Sequence, residues 1–124
     1  MKDKKYNKKI GSFGEMLVIT YLENMNYEIL DKNYKTKFGE IDIIAKDKKE
    51  YVFIEVKTRT SSKYGMPSEA VDFNKEKHIK KSSQVYVYLN NLENKYIRYD
   101  VIEVYFINKN KYYINHLKNN FFNV

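Results

Sequence analysis

Two short runs decide the fold of this chain: GEIDIIA at residues 39–45 and YVFIEVK at residues 51–57. β-Branched and aromatic residues dominate both runs, which is typical of strands. The linker between them, KDKKE at residues 46–50, is polar and has the length of a turn. The pattern therefore predicts that the two runs pair as a hairpin.

Each run also carries charge where a core strand is normally apolar. The first strand contains Glu40 and Asp42, and the second contains Glu55 and Lys57. Because side chains alternate between the two faces of a strand, Glu55 and Lys57 share a face. Pairing of the strands can bring Asp42 beside Glu55, where like charges are costly unless a cation lies between them. The hairpin is therefore a candidate metal site.

The composition favours a polyanionic partner. Lys and Arg number 23 against 16 Asp and Glu, a formal net charge of +7, which points to nucleic acid, although a generally lysine-rich composition explains it equally well. The absence of cysteine excludes disulfides and thiolate metal sites. We expect one domain, residues 1–124, with residues 1–9 flexible. We also expect a cytoplasmic location, since no apolar stretch is as long as a membrane span.

The remaining pattern predicts a mixed α/β fold in the order helix, three strands, helix, and one or two strands. Apolar residues at three- and four-residue steps predict a first helix over residues 11–26. The other predicted elements are a strand at 27–35, a loop at 58–67, a helix at 67–89, and strands at 96–106 and 112–117. The buried face of the second helix is predicted to carry Ile79, Ser82, Ser83, Tyr86 and Leu89.

Charged residues outside the hairpin are further candidates. Glu15 falls at the edge of the apolar stripe of the first helix, as a solvated glutamate or as a metal ligand. Arg59 and Lys63 lie in the predicted loop, and Lys75 lies on the basic face of the second helix. These three are candidate contacts to a nucleic-acid phosphate backbone, with solvated surface charges as the alternative.

The acidic residues suit a site that cleaves phosphodiesters. Mg²⁺ prefers oxygen ligands and keeps several waters, so two or three carboxylates on a rigid scaffold are sufficient protein ligands. Asp42, Glu55 and Glu15 fit that description, with the backbone carbonyl of Val56 as a further candidate ligand and Mn²⁺ as a substitute ion. Lys57 is placed to orient a water or to stabilise charge on the phosphate. Structural salt bridges are the alternative, since Glu-X-Lys alone is a weak motif.

Four motifs in a fixed order resemble the YraN-type uncharacterised protein family of bacteria: GSFGE at 11–15, GEIDIIA at 39–45, VFIEVKTR at 52–59 and RYDV at 98–101. The resemblance spans nearly the whole chain. That family resembles the restriction-endonuclease-like superfamily, with its PD-(D/E)XK signature, and within it the archaeal Holliday-junction resolvases. The resemblance implies a restriction-endonuclease-like core of helix, three strands, helix and strand, with metal-dependent nuclease chemistry.

The signature of the superfamily is carried over by position. Glu15 is the helix glutamate, Asp42 is the first acid, and Glu55-Val56-Lys57 is the D/E-X-K portion. Ile41 stands where the written signature has proline, a substitution that the superfamily tolerates. Glu40 lies in the same stretch, with structural support or substrate binding as its implied role.

These observations predict a Mg²⁺-dependent endonuclease that acts on DNA, with branched or structured DNA in repair or recombination as the substrate. The alternative is a noncatalytic DNA-binding module or assembly partner on the same fold, which predicts salt-sensitive DNA binding without cleavage. Because resolvase-like relatives work as symmetric pairs, the resemblance also implies a homodimer. We expect no membrane partner and no small-molecule cofactor.

Overall fold

The structure is a computed structural model that describes residues 4–60 and 73–119. The elements follow one another as helix α1 (Lys4–Asn24), strands β1 (Glu28–Thr36), β2 (Gly39–Asp47) and β3 (Glu50–Thr60), helix α2 (Phe73–Leu89), and strands β4 (Tyr96–Asn108) and β5 (Lys111–Leu117). None of the helices in the described part of the chain is long and apolar enough to cross a lipid bilayer.

All five strands form one mixed sheet in the order β1-β2-β3-β4-β5. The first three strands are an antiparallel meander, β3 and β4 pair in parallel, and β5 returns antiparallel at the edge. A parallel pair needs a crossover connection, and α2 lies in that connection. The predicted mixed α/β order is confirmed. It is consistent with a restriction-endonuclease-like core.

The two helices pack on opposite faces of the sheet, because neighbouring residues of β3 belong to different cores. Ile54 lies in the core under α1, with Val18 and Leu22 of that helix. Phe53 lies in the core under α2, with Ile79 of that helix. Each fully buried side chain of this size stabilises the fold by about 1.5–3 kcal/mol.

Helix α1 is longer than predicted at its N-terminal end. It begins at Lys4 rather than at residue 11, so it includes residues 4–9, whose polar composition predicted fraying. Lysine is a good helix former, and each residue added to an existing helix gains one backbone hydrogen bond. A polar run next to a packed helical turn therefore extends that turn.

Two predictions, one about β3 and one about α2, are wrong. Strand β3 continues to Thr60, because residues 58–60 pair in register with β4. Arg59 therefore lies in a strand and not in a loop. Leu89, predicted to be buried, is 64% exposed where α2 ends. The predicted helix start near residue 67 and the candidate residue Lys63 lie outside the described residues.

Edge strand β1 is irregular at two places. Its register with β2 shifts between Ile29 and Asp31. Asn33 has a backbone φ of 52°, in the left-handed region, which asparagine tolerates better than most residues. By register Asn33 lies opposite Asp42 of β2, so the irregularity borders the candidate site.

Candidate functional site

The candidate site lies where β2 and β3 separate. Their ladder of paired residues ends at Ile43 and Ile54, so the next positions in register, Asp42 and Glu55, lie at the opening between the strands. There the backbone N–H of Val56 donates to Asp42 Oδ2 at 2.8 Å. A side-chain hydrogen bond thus replaces a ladder hydrogen bond, and it holds Asp42 against the strand that carries Glu55.

The regular alternation of side chains between the two faces of strand β2 is interrupted at Asp42. Ile43 packs in the core under α1, whereas Ile41 packs with Ile44 in the core under α2. A regular strand would place Ile41 and Ile43 on one face. The break in alternation therefore positions Asp42 at the edge between two cores rather than inside either one.

Glu55 is a buried carboxylate between two lysines. The residue is 4% exposed, and its Oε1 lies 3.7 Å from Lys57 Nζ and 3.4 Å from Lys75 Nζ. These are ion-pair distances, and among residues 4–60 and 73–119 no group donates a hydrogen bond to Oε1. A buried carboxylate oxygen without a hydrogen bond is costly. This atom can therefore gain from a closely bound cation.

Burial and mutual repulsion raise the pKa of two acids. The pKa of Asp42 is raised from 3.8 to about 6, mainly by burial and to a smaller extent by the charges of Glu55 and Glu40, while the Val56 hydrogen bond and the charge of Lys75 lower it in part. Burial also raises the pKa of Glu15, followed by the charges of Asp42 and Glu40. Carboxylates affect one another in this way only when they are close. Glu15 of α1 therefore belongs to the same acidic cluster.

A glycine and an asparagine place Glu15 in this cluster. Gly14 is buried, and a Cβ at this position would collide with Thr58 of β3, so glycine permits the close approach of α1 to that strand. In the amide orientation that satisfies both partners, Asn33 Nδ2 donates to Glu15 Oε1 at 3.2 Å and to Glu40 Oε1 at 3.0 Å. No local sequence pattern predicts this role of Asn33, which depends on an irregular backbone.

The two predicted phosphate contacts within the described residues, Lys75 and Arg59, have carboxylate partners. Lys75 lies at ion-pair distance from Glu55, as described above. Arg59 Nε donates to Glu103 Oε2 at 3.0 Å. Glu103 is buried on β4 and also accepts a hydrogen bond from Asn115. No local sequence pattern predicts the role of Glu103, because only the parallel register of β3 and β4 brings it beside Arg59.

A second charged cluster lies on the α1 side of β4, away from the acids. Asp100 is 0% exposed and accepts hydrogen bonds from Arg98, His116 and the backbone of Asn119. Burial alone would raise the pKa of Asp100, but the hydrogen bonds from His116 and Arg98 outweigh it and lower that pKa. Because each carboxylate oxygen has two donors, the cluster is a satisfied structural network.

The donors at the candidate site suit a hard divalent cation with few protein ligands. Asp42 and Glu55 offer carboxylate oxygens beside the backbone of Val56, and Mg²⁺ commonly binds one or two carboxylates together with waters and substrate phosphates. Within residues 4–60 and 73–119, no group of three Asp, Glu or His side chains is arranged to hold a metal ion. The geometry therefore fits two carboxylates better than a ready-made shell of three acids that includes Glu15.

Three known proteins of similar sequence carry the same family name. The sequence model described as "Uncharacterised protein family UPF0102" matches residues 14–104. A UPF0102 protein of Clostridium botulinum is 57% identical over 99 residues, which cover 79% of this chain and 80% of the relative. Relatives with the same name from Alkaliphilus oremlandii and Caldanaerobacter subterraneus are 51% and 50% identical over 117 and 122 residues. These alignments cover 93% and 95% of this chain, and 99% of each relative.

Proposed function

The chain belongs to UPF0102, the uncharacterised YraN-type family that its motifs predicted, and from that premise we propose that it is a metal-dependent endonuclease that hydrolyses DNA phosphodiester bonds. The observation that supports the proposal most is the buried Oε1 of Glu55, which accepts no hydrogen bond from the part of the chain that the structure describes. It lies at the opening between β2 and β3, beside Asp42 and Lys57. A purely structural carboxylate at this depth would normally be satisfied by hydrogen bonds.

The roles of the residues follow from their positions. Mg²⁺, or Mn²⁺ in its place, would supply an activated water and neutralise charge on the phosphate when bound beside Asp42 and Glu55. The N–H of Val56 keeps Asp42 oriented. Lys57 Nζ would donate to the attacking water or to the phosphate oxygens as negative charge builds on them. The water gives up a proton as its oxygen bonds to phosphorus, one ester bond breaks, and the departing oxygen takes up a proton, so that overall one proton passes from the water to the leaving group.

The surplus of positive charge supports a nucleic-acid substrate. A formal net charge of +7 attracts a polyanion to the protein at moderate salt. Branched or structured DNA is the substrate that the resemblance implies. The proposal further includes a cytoplasmic location, where chromosomal DNA is accessible in bacteria, and a homodimer, which light scattering after size-exclusion chromatography would test.

A nuclease assay tests the proposal directly. The protein is incubated with linear duplex, single-stranded, nicked and four-way DNA, with Mg²⁺ or Mn²⁺, and the products are separated by electrophoresis. We expect cleavage that falls by about 100-fold or more in Glu55→Gln, which weakens the metal site, and in Lys57→Ala, which removes the donor to the water or phosphate oxygens. Glu93→Gln, at an exposed position after α2, is the matched control. Cleavage that survives both site substitutions would reject the assignment.

A noncatalytic DNA-binding module is the second candidate. It is favoured by the two lysines that already form ion pairs with Glu55. It is also favoured because no group of three acids among the described residues is arranged to hold a metal ion. This candidate predicts DNA binding that decreases with salt, persists in EDTA and leads to no cleavage. The same set of DNA substrates, tested for binding with and without EDTA, separates the two candidates.

A further inference from the structure

Two tyrosines stack on each other at the outer part of the sheet. Tyr105 and Tyr113 are direct cross-strand partners on β4 and β5. Their ring centroids are 4.9 Å apart and their planes differ by 8°. Tyr113, on the edge strand, is 52% exposed. The pair is therefore a pre-oriented aromatic surface whose outer ring, Tyr113, is accessible. Because the rings already hold each other in place, they lose little conformational entropy when a ligand binds.

This pair lies on the same sheet face as the candidate site. In the parallel register Lys57 is opposite Glu103, and Arg59 is opposite Tyr105. Residues two apart on a strand share a face, so Glu55, Lys57 and Arg59 form one row that leads to the tyrosines. The row from Glu55 to Arg59 is about 13 Å long, which corresponds to no more than about four stacked nucleotides.

A cation accompanies the aromatic pair. The guanidinium carbon of Arg59 lies 6.0 Å from the centre of the Tyr105 ring, and its Nε is held by Glu103. The guanidinium therefore stays beside the rings. An aromatic ring next to a fixed positive charge is the combination that proteins use to bind single-stranded nucleic acid, since bases stack on rings and phosphates pair with cations.

From this arrangement we propose that Tyr105, Tyr113 and Arg59 form a stacking platform for an unpaired base of the strand that enters the candidate site. The proposal rests on the proposed function for the identity of that strand as DNA. Inside a duplex each base is covered on both faces by its neighbours, so away from the duplex ends only an unpaired base can offer its face to Tyr113. The substrate class is therefore DNA with a single-stranded segment within a few nucleotides of the bond that is cleaved.

Tyr112 provides a matched control. It is the neighbouring residue on β5, it is 44% exposed, and its ring lies near Phe106 on the other face of the sheet. Tyr113→Thr and Tyr112→Thr both replace an exposed tyrosine of the same edge strand by a β-branched residue that favours strands. The two variants therefore differ in the face that loses its ring, and Tyr113→Phe keeps the stacking surface.

The experiment measures the affinity of each variant for a labelled single-stranded oligonucleotide and for a blunt duplex, in EDTA at one salt concentration. We expect Tyr113→Thr to weaken single-strand binding by about 10-fold, with duplex binding nearly unchanged. Tyr112→Thr and Tyr113→Phe should bind as wild type does. With 2-aminopurine in the strand, wild type should quench the fluorescence of one base, and Tyr113→Thr should not.

The outcomes separate this proposal from the proposed function. Equal effects of Tyr113→Thr and Tyr112→Thr, or equal losses on duplex and single strand, would overturn the platform while leaving the nuclease proposal intact. Wild-type protein that binds no form of DNA at low salt would overturn both. If Tyr113→Thr does not fold, the fluorescence of wild type decides, since an unquenched 2-aminopurine at every position of the strand excludes stacking.

Discussion

Replacement of Asp42 by asparagine is expected to stabilise the protein at neutral pH. Burial raises the pKa of this carboxyl from 3.8 to about 6, so its charged form is disfavoured in the folded state. Asparagine has nearly the same shape, carries no charge, and can accept the N–H of Val56 that Asp42 accepts now. The substitution therefore removes a cost of folding and keeps the local hydrogen bond.

The magnitude follows from the two pKa values. Each pKa unit corresponds to about 1.4 kcal/mol, so the cost of the charged form is about 2–3 kcal/mol. Because the folded pKa lies above the unfolded value, the folded state binds the proton more tightly, and the free energy of unfolding falls as pH rises from about 4 to about 6. Asparagine does not titrate. The stability gap between Asp42→Asn and wild type should therefore be below about 1 kcal/mol at pH 4 and reach about 2–3 kcal/mol at pH 7.5.

Urea unfolding followed by circular dichroism measures this gap. The wild type, Asp42→Asn and the control Glu93→Gln are compared at pH 4 and pH 7.5, and a change in midpoint at constant slope reports stability. Added Mg²⁺ should stabilise wild type selectively, since ligand binding to the folded state raises its stability. A gap of the same size at both pH values, or an Asp42→Asn variant that is less stable at pH 7.5, would refute the reasoning.

Three further predictions concern other parts of the structure. Arg98→Met should lower the free energy of unfolding by about 3–5 kcal/mol in urea titrations, since it leaves Asp100 buried without its main partner. Gly14→Ala should cost about 1–3 kcal/mol through its collision with Thr58, and Thr58→Ala should recover much of that loss in the double variant, as thermal unfolding would show. Lys75→Ala should strengthen Mg²⁺ binding, measured by calorimetry, since it removes the ammonium nearest the buried carboxylate.

The central hairpin was predictable because its information is local. β-Branched runs flank a short polar turn, and the observed strands β2 and β3 extend the predicted ranges by only a few residues. The order of elements followed in the same way from the periodicity of each segment. The proximity of Asp42 to Glu55 could be predicted from the alternation of side chains along each strand and from the pairing of the two strands, both of which are local properties.

The rest of the candidate site depends on contacts that are distant in sequence. Glu103 meets Arg59 only through the parallel register of β3 and β4, which no local pattern encodes. Lys75 looked like part of a solvated basic face, and the packing of α2 brings it to Glu55. Asn33 adopts a left-handed backbone that composition alone does not indicate. These three contacts were not predicted because tertiary packing, and not the local sequence, brings the partners together.

The irregularities of β1 have a consequence for self-association. An edge strand exposes a row of unpaired backbone groups, and a flat, regular edge invites another chain to add a strand. The register shift near Ile29 and the left-handed Asn33 bend this edge, so a second copy cannot extend the ladder along its whole length. The irregular backbone that borders the acidic cluster thereby also disfavours aggregation through the β1 edge of the sheet.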